Sequence, residues 1–265
     1  LDEPDRRTAR EIRLRARMFS SVTASSDIDR LAMSASMRLP LGDVWVTGLP
    51  RNDWLLVPEH DLPAGAADAI SRLRTELDGR RLVLYAPTFR DEGSGIYPFT
   101  AEERVELAKT LESHGAVLGV RTHMNESGAA ELASENWALD ISPTRFPETQ
   151  AVLRCTDVLV SDYSSIWIDF LLLDQPIIGL IHDLAEYTAG RHLLYDLDHV
   201  YGGPLVTDAQ GLLGELDDAL AGRRLEDHAG YRSAARRIFH RYTDAGATER
   251  TVRHILRRPG SRHVD

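Results

Sequence analysis

Two adjacent hydroxyl side chains stand at a predicted turn between a strand and a helix. The apolar run 158–160 precedes the turn and the apolar run 168–173 follows it. The turn itself reads Ser161, Asp162, Tyr163, Ser164 and Ser165. The first run predicts a buried strand, and the second predicts a helix packed on a sheet.

Such a turn is chemically suited to an anion. The start of a helix presents free backbone N–H groups and the positive end of the helix dipole. Ligands of open α/β sheets bind at the carboxyl ends of the strands, which is where this turn lies. Ser164 and Ser165 therefore predict a phosphate or diphosphate site, and the alternative is that Ser164 only caps the helix.

A second group of suitable residues follows the predicted strand 82–85. Pro87 ends that strand and leaves Thr88 and Arg90 at its carboxyl end. A planar guanidinium donates several hydrogen bonds at once and is a natural partner for phosphate. The alternative is an ordinary strand–loop junction with a surface ion pair between Arg90 and Asp91.

Arg121 and His123 follow the predicted strand 116–120. Residues two apart in extended chain point the same way, so both side chains could reach one ligand. A lone histidine at a strand end is more often a structural hydrogen-bonding residue. Together, however, the three strand ends favour a negatively charged ligand.

A possible fourth anion site precedes the last helical stretch. Gly246 supplies a flexible turn, Thr248 is a candidate N-cap, and Arg250 follows within the first turn of the helix. This helix start is another anion site if it faces the same crevice, and otherwise it is only a cap.

Composition excludes several classes of function. The formal net charge of −10 argues against a nucleic-acid-binding protein. The single cysteine, Cys155, excludes an internal disulfide and a cysteine-based zinc cluster. No apolar run approaches the ~20 residues that a membrane helix needs. The sequence also lacks the Walker phosphate loop, the dinucleotide glycine fingerprint and the Gly-x-Ser-x-Gly elbow.

Strands and helices alternate along most of the chain. Predicted strands cover 21–24, 44–47, 82–85, 116–120, 137–141, 158–160, 176–181 and 204–206. Predicted helices cover 3–18, 27–37, 65–77, 101–114, 126–133, 147–155, 165–174, 208–221 and 229–258. This alternation predicts an α/β fold with a Rossmann-type parallel sheet covered by helices on both faces.

The same pattern predicts four parts of the chain. Residues 1–50 form the edge or tail of a preceding α/β domain, because a lone strand–helix–strand unit cannot build its own core. Residues 51–80 form a linker and a helix, 81–258 the main parallel-sheet domain, and 259–265 a tail. We expect the chain to be part of a longer protein.

Taken in order, these segments resemble the CDP-glycerol glycerophosphotransferase family, the teichoic-acid and capsule polyol-phosphate polymerases and primases. The matching stretches are 47–53, 84–91, 121–123, 160–165 with 169–170, 183–187, 203–204 and 244–250. The resemblance covers roughly residues 20–256. It implies a two-domain GT-B enzyme whose C-terminal Rossmann-like domain binds the donor.

The resemblance also implies roles for particular residues. The side chains that it places on the diphosphate of CDP are those of Thr88, Arg90, His123, Ser164, Ser165 and Arg250. We add Arg121 and Thr248 to this substrate-binding set from their positions at the strand and helix ends. The residues expected to shape the pocket are Asp162, Tyr163 and Asp169. His123 is the predicted catalytic residue, as donor-side acid or phosphate contact, and no metal ion or other cofactor is implied.

The implied activity is transfer of a polyol phosphate, above all glycerol phosphate, from CDP-glycerol or a related CDP-polyol. The acceptor is a hydroxyl of a cell-wall or capsule polymer, or of a lipid-linked precursor. The implied location is cytoplasmic, peripheral on the inner face of the bacterial plasma membrane. Two alternatives stay open, a GT-B glycosyltransferase that uses a nucleotide sugar and a non-catalytic CDP-binding module.

One departure from the family pattern concerns the catalytic base. The family's N-terminal domain carries a His-Gly motif thought to supply that base, and no His-Gly occurs here before residue 80. His114-Gly115 lies too late in the chain to be that motif. We therefore expect the isolated chain to bind donor but to transfer slowly or not at all without the missing N-terminal domain.

Overall fold

The computed structural model describes residues 19–88, 90, 96–122, 129–190, 193–223 and 225–257. These residues form two compact units. The terminal unit contains the described residues up to Leu56 and those from Arg237 onward, and the central unit is Val57–Arg236. The division differs from the predicted one, which placed 81–258 in one domain. The predicted helix 3–18, the tail 259–265 and His123 lie outside the described residues.

The elements of the described chain are as follows. The α-helices are α1 Asp27–Met37, α2 Asp53–Leu56, α3 Ala64–Leu77, α4 Ala101–Ser113, α5 Ala129–Ala133, α6 Thr149–Arg154, α7 Ile166–Phe170, α8 Leu184–Gly190, α9 Leu197–Val200, α10 Ala209–Leu220, α11 Leu225–Phe239 and α12 Ala247–Arg257. The strands are β1 Val22–Ala24, β2 Val44–Val46, β3 Arg81–Ala86, β4 Ala116–Val120, β5 Ala138–Asp140, β6 Val158–Ser161, β7 Ile177–Leu180 and β8 Leu205–Val206. None of these described helices is both long and apolar enough to cross a membrane.

In the terminal unit, β1 and β2 pair in parallel, with Val22 opposite Val44. Helix α1 connects the two strands, and its start is well capped because the Ser26 hydroxyl accepts a hydrogen bond from the Asp29 N–H at 3.2 Å. A serine at this position satisfies one of the N–H groups that the first turn of a helix leaves free. The predicted strand–helix–strand order of this segment is confirmed.

The central unit is built around a parallel sheet of six strands in the order β5-β4-β3-β6-β7-β8. Val83 and Tyr85 of β3 belong to a core that includes residues of α4 and α10. Leu82 and Leu84, which alternate with them and so point to the opposite face, are also fully buried. The sheet is therefore covered on both faces, as the near-continuous apolar strands predicted.

The strand order places a topological switch point between β3 and β6. Along the chain, the sheet first grows from β3 to β4 and β5, and then from β6 to β7 and β8 on the other side. Tyr85 lies opposite Val160, and Ala86 opposite Ser161, so β3 and β6 end side by side. In open α/β sheets, the crevice outside the carboxyl ends at such a point is where ligands bind.

Several stretches of helix differ from their predictions. The stretch 229–258 is two helices, α11 and α12, separated by residues 240–246. The predicted helix 165–174 is α7 followed by a 3-10 turn, which stops where Asp174 adopts a left-handed φ of 55°. Helices α8 and α9 were not predicted, because helices of seven and four residues are too short to show a period.

Candidate functional site

Asp162 joins the turns that follow β3 and β6. Its carboxylate, only 1% exposed, accepts hydrogen bonds from the Thr88 N–H at 2.9 Å and the Thr88 hydroxyl at 2.6 Å. It also accepts one from the Ser164 N–H at 3.1 Å. One residue earlier, at the end of β6, the Ser161 hydroxyl donates to the Ala86 carbonyl at 2.7 Å. These bonds bring the predicted residues Thr88 and Ser164 together at the switch point.

Arg90 is buried beside Asp162, with 8% of the residue exposed. Its Nη2 donates to Asp162 Oδ2 at 2.9 Å. Its Nε donates to Asp183 Oδ2 at 2.8 Å, and Nη2 also donates to Asp183 Oδ1 at 3.1 Å. Nη1 donates to the Thr88 carbonyl at 2.5 Å. Two carboxylates thus share one guanidinium at the end of the sheet.

Two tyrosines lie against this guanidinium. The rings of Tyr163 and Tyr187 stack with their centroids 3.9 Å apart. The Arg90 Cζ atom lies 5.1 Å from the Tyr163 centroid and 4.8 Å from the Tyr187 centroid, within the range of cation–π attraction. The Tyr163 hydroxyl donates to Asp183 Oδ1 at 3.1 Å. Tyr163, predicted to shape the pocket, therefore forms part of the wall around Arg90.

The charges of this cluster are mutually stabilised. Burial opposes the charged form of Arg90, but hydrogen bonds to Asp183 and the charge of Asp162 outweigh it, so the pKa of Arg90 is raised. Burial likewise opposes ionisation of Asp183, yet the hydrogen bonds and charge of Arg90 lower its pKa. Burial and the neighbouring Asp183 carboxylate raise the pKa of Tyr163, which keeps its hydroxyl a hydrogen-bond donor.

The two predicted serines occupy different environments at the start of α7. The half-buried Ser164 accepts a long hydrogen bond from the Ile166 N–H at 3.4 Å. Ser165 is the N-cap residue, is exposed, and makes no capping hydrogen bond with its side chain. Its hydroxyl is therefore available to a ligand at the switch point. The role of both serines in binding a diphosphate stays a prediction.

Asp169 lies one turn further along α7 and is buried. On the same helix the Trp167 ring packs against the Tyr201 ring, with centroids 4.7 Å apart. This packing holds the short helix against the fold. The pocket-shaping role of Asp169 stays a prediction.

Arg121 has a different environment from the one expected of a phosphate contact. Its Nη1 donates to the carbonyls of Ile141 and Phe146, both at 2.9 Å, and its Nη2 donates to the Thr149 hydroxyl at 2.8 Å. Burial lowers the pKa of Arg121 to about 10. The guanidinium is engaged by acceptors of the chain after β5 and supports that chain, and its predicted contact with a diphosphate stays a prediction. Its partner in the prediction, His123, lies outside the described residues.

Thr248 and Arg250 belong to the terminal unit. The Asp53 carboxylate accepts hydrogen bonds from the Ala247 N–H at 2.9 Å and the Thr248 N–H at 2.7 Å. The prediction that Thr248 is the N-cap is therefore wrong, because Thr248 lies inside the first turn of α12. A carboxylate already neutralises this helix start, and that argues against a second anion there.

Asp183, Tyr187 and His182 belong to the candidate site, and no role was assigned to them from the sequence. The stretch 183–187 was part of the family resemblance, and nothing in its local pattern indicated a contact with Arg90. His182 packs edge-on against Tyr97, with ring centroids 5.2 Å apart. Burial lowers the pKa of His182, so its ring is neutral near pH 7.

The described residues offer no metal site at this crevice. Within the ranges that the structure describes, no three His, Cys, Asp or Glu side chains are arranged to hold a metal ion. The donors near Arg90 are hydroxyl, guanidinium and backbone N–H groups, which here bind the carboxylates of Asp162 and Asp183. Such donors suit a phosphate oxygen.

Comparison with known proteins gives matches over nearly the whole chain. Teichoic acid ribitol-phosphate polymerase TarL of Staphylococcus aureus is 27% identical over 249 residues, which are 92% of this chain and 42% of TarL. The teichoic acid glycerol-phosphate primase of Bacillus spizizenii is 32% identical over 140 residues, which are 52% of this chain and 35% of the primase. The matched part is thus less than half the length of either relative.

Solved structures share the fold. The wall teichoic acid polymerase TagF matches with a TM-score of 0.78 at 20% identity, over 97% of this chain and 63% of the TagF chain. UDP-GlcNAc 2-epimerase from Neisseria meningitidis matches with a TM-score of 0.53 at 16% identity, over 93% of this chain and 63% of the epimerase chain. At these identities the likeness shows the fold, and the predicted GT-B-like α/β architecture is confirmed.

The family is shown by a match of a different kind. Residues 1–257 fit the sequence profile described as CDP-Glycerol:Poly(glycerophosphate) glycerophosphotransferase. That span includes every stretch on which the resemblance was based. The chain therefore belongs to the CDP-glycerol:poly(glycerophosphate) glycerophosphotransferase family.

Proposed function

We propose that the central unit binds the CDP part of a CDP-polyol outside the carboxyl ends of β3 and β6. The observation that carries this proposal is the set of bonds made by Asp162, which hold Thr88, Arg90 and Ser164 at the switch point. The Arg90 guanidinium and the serine hydroxyls at the start of α7 match the acceptors of a diphosphate. The exposed Ser165 adds a further hydroxyl.

We infer that the protein to which this chain belongs transfers polyol phosphate to a hydroxyl. Family membership supports this reaction, and the relatives described above are a teichoic acid polymerase and a primase. One solved TagF structure comes from a crystal soaked with CDPG. Because the chain matches only 42% of TarL, the activity of the whole protein is part of the proposal.

In the proposed reaction, the acceptor oxygen attacks the phosphorus that carries the polyol. The bond from that phosphorus to the bridging oxygen of the diphosphate breaks, and CMP leaves with the electron pair. The proton of the acceptor hydroxyl passes to a base. Residues 1–50 contain no histidine that could act as this base. Donors at the switch point stabilise the negative charge that develops on the leaving phosphate. We assign His123 to this donor side, as acid or phosphate contact.

The acceptor we propose is a hydroxyl of a teichoic-acid-like polymer or of its lipid-linked precursor. Such a precursor is held at the membrane, so we place the protein at the inner face of the plasma membrane, where nucleotide-activated donors are made. The N-terminal domain of the longer relatives is the part we expect to position this acceptor. Orientation of the hydroxyl and general-base catalysis would then come from that domain.

The test is a calorimetric titration of the chain with CDP, CDP-glycerol, CDP-ribitol and UDP-GlcNAc. We expect binding of the CDP compounds and weaker or no binding of UDP-GlcNAc. The Ser164→Ala/Ser165→Ala double variant should bind CDP more weakly by about 1–3 kcal/mol, the scale of hydrogen bonds to a charged group. The matched control is Ser113→Ala/Ser134→Ala, which removes two exposed hydroxyls elsewhere in the central unit and should leave binding unchanged.

Three results would contradict the proposal in different ways. Preference for UDP-GlcNAc would favour a GT-B glycosyltransferase that uses a nucleotide sugar. Normal CDP binding by a folded double-serine variant would put the site elsewhere. No binding of any CDP compound would remove the donor-binding function altogether.

A further inference from the structure

The two carboxylates that share Arg90 are held very differently. Asp162 accepts hydrogen bonds from the Thr88 N–H, the Thr88 hydroxyl and the Ser164 N–H, besides its bond from Arg90. Its side chain is 1% exposed. Displacing Asp162 from Arg90 would leave these three other bonds in place. Asp162 is therefore a fixed part of the turn.

Asp183 has fewer partners. Among the described residues, the donors to its carboxylate are the Arg90 guanidinium and the Tyr163 hydroxyl. Its side chain is 14% exposed, and the following residues at the start of α8 are exposed. No described residue of α8 is buried. A carboxylate in this position can move into solvent without breaking a packed core.

The geometry of the Arg90–Asp183 pair resembles that of an arginine–phosphate pair. Nε and Nη2 of Arg90 donate to the two separate oxygens of Asp183, at 2.8 and 3.1 Å. The same two-pronged edge of a guanidinium binds two oxygens of a phosphate. A carboxylate therefore occupies the edge of Arg90 that a phosphate would need.

We infer that Asp183 is an internal competitor for the ligand phosphate, holding the binding edge of Arg90 until the diphosphate of the donor displaces it. This inference rests on the proposed function, since it assigns Arg90 to the donor. Asp162 keeps Arg90 in place throughout, and Asp183 sets how tightly the donor binds. When the phosphate leaves, the carboxylate returns to Arg90, which favours release of product.

Displacement of Asp183 from Arg90 by the diphosphate also involves α8. The Tyr187 N–H donates to the Asp183 carbonyl at 2.8 Å, and the Tyr187 ring stacks on Tyr163 beside Arg90. Asp183 and Tyr187 therefore belong to one local structure at the start of this helix. Donor binding should shift this segment while leaving the turn at Asp162 unchanged.

The test is a double-mutant cycle on CDP affinity measured by calorimetry. Asp183→Asn should bind CDP about tenfold more tightly than the unaltered chain, the change expected from one charge-assisted hydrogen bond. In the Arg90→Gln background, the same substitution should change affinity by less than about twofold, because the competition acts through Arg90. Asp183→Glu keeps the competing charge and should bind CDP like the unaltered chain.

The matched control is Glu76→Gln. It removes a carboxylate that is paired with Arg145, at 3.0 Å, elsewhere in the central unit. It should not change CDP affinity, and so it controls for the change in total charge. If Asp183→Asn does not fold, Tyr163→Phe removes the second donor to Asp183 and should tighten CDP binding in the same direction by a smaller factor.

Several results would overturn the inference. One is unchanged or weaker CDP binding by a folded Asp183→Asn variant. Another is an equal tightening in the Arg90→Gln background, which would mean simple repulsion between Asp183 and the ligand. If the unaltered chain does not bind CDP, the proposed function fails, and the same cycle is measured with pyrophosphate. Failure to bind either ligand would remove both proposals.

Discussion

Arg90 in the central unit and Arg250 in the terminal unit have similar kinds of neighbour. Arg250 Nη2 pairs with Asp244 Oδ1 at 2.8 Å, and its Nε donates to the Thr47 carbonyl at 2.8 Å. Its Cζ atom lies 3.8 Å from the centroid of the Tyr242 ring. Arg90 also combines carboxylate, carbonyl and tyrosine contacts. The difference is that the Asp244 side chain is 61% exposed, whereas Asp162 and Asp183, which pair with Arg90, are largely buried.

The helix starts beside the two arginines differ as well. The start of α12 is bound by the Asp53 carboxylate. At the start of α7, Ser165 is exposed and makes no side-chain cap. A helix start that already holds a carboxylate has little attraction left for a second anion. Similar residue types thus accompany a helix start bound by a carboxylate in one unit and a helix start with an exposed hydroxyl in the other.

The largest expected effect is that of Asp162→Ala. It would leave Arg90 with one carboxylate and deprive Thr88 and Ser164 of their common acceptor, so we expect a loss of about 3–5 kcal/mol in the free energy of unfolding. Urea unfolding followed by circular dichroism measures it. Asp244→Ala, in the exposed pair of the terminal unit, should cost at most about 1 kcal/mol. Equal losses would mean that the two arginine clusters do not differ in burial as described.

A second prediction separates Arg121 from Arg90. Arg121→Gln removes donors to two buried carbonyls, and we expect a loss of about 2–3 kcal/mol in the free energy of unfolding with CDP affinity unchanged. Arg90→Lys should instead weaken CDP binding, because a lysine cannot make the two-pronged contact. Titrations of both folded variants provide the comparison. Weaker CDP binding by Arg121→Gln would restore Arg121 to the ligand site.

A third prediction concerns the closed helix start. Asp53→Ala leaves the first N–H groups of α12 without their acceptor and should cost about 1–2 kcal/mol in unfolding free energy. Chemical denaturation and the far-ultraviolet helix signal measure the change. The control Asp61→Ala, an exposed side chain, should stay within about 0.5 kcal/mol. No loss in Asp53→Ala would mean that solvent caps α12 equally well.

The smallest expected effect is the pH dependence of Asp183. Arg90 lowers the pKa of Asp183 in the folded chain, so the contribution of this carboxylate to stability is present above its unfolded-state pKa of about 3.9. It is lost as the pH falls through the lower folded-state pKa. The difference in unfolding free energy between the unaltered chain and Asp183→Asn should be constant from pH 7 to about 5 and shrink as the pH falls below the unfolded-state pKa. A difference that stays constant over that range would show that Asp183 has an ordinary pKa.

Much of the fold was predictable from the sequence because its signals are local. Apolar runs such as 116–120 predicted strands that the structure contains as Ala116–Val120, and their alternation with helices predicted the parallel sheet. The candidate residues Thr88, Arg90 and Ser164 were identifiable because they follow strand ends, and strand ends on one edge of a parallel sheet converge. That rule predicts that they lie close together, but it does not predict that Asp162 binds all three.

What only the tertiary structure decided depends on contacts between residues far apart in sequence. Asp183 meets Arg90 across 93 positions, and Asp53 meets the start of α12 across 194. The sequence by itself determined the α/β class, the strand ends that carry phosphate-compatible groups and the family resemblance. The tertiary structure decided that Arg121 is engaged within the fold, that α12 belongs to the terminal unit, and that Arg90 already holds two carboxylates. The physical reason is that a charged side chain takes the nearest complementary partner in space, and local patterns do not encode that partner.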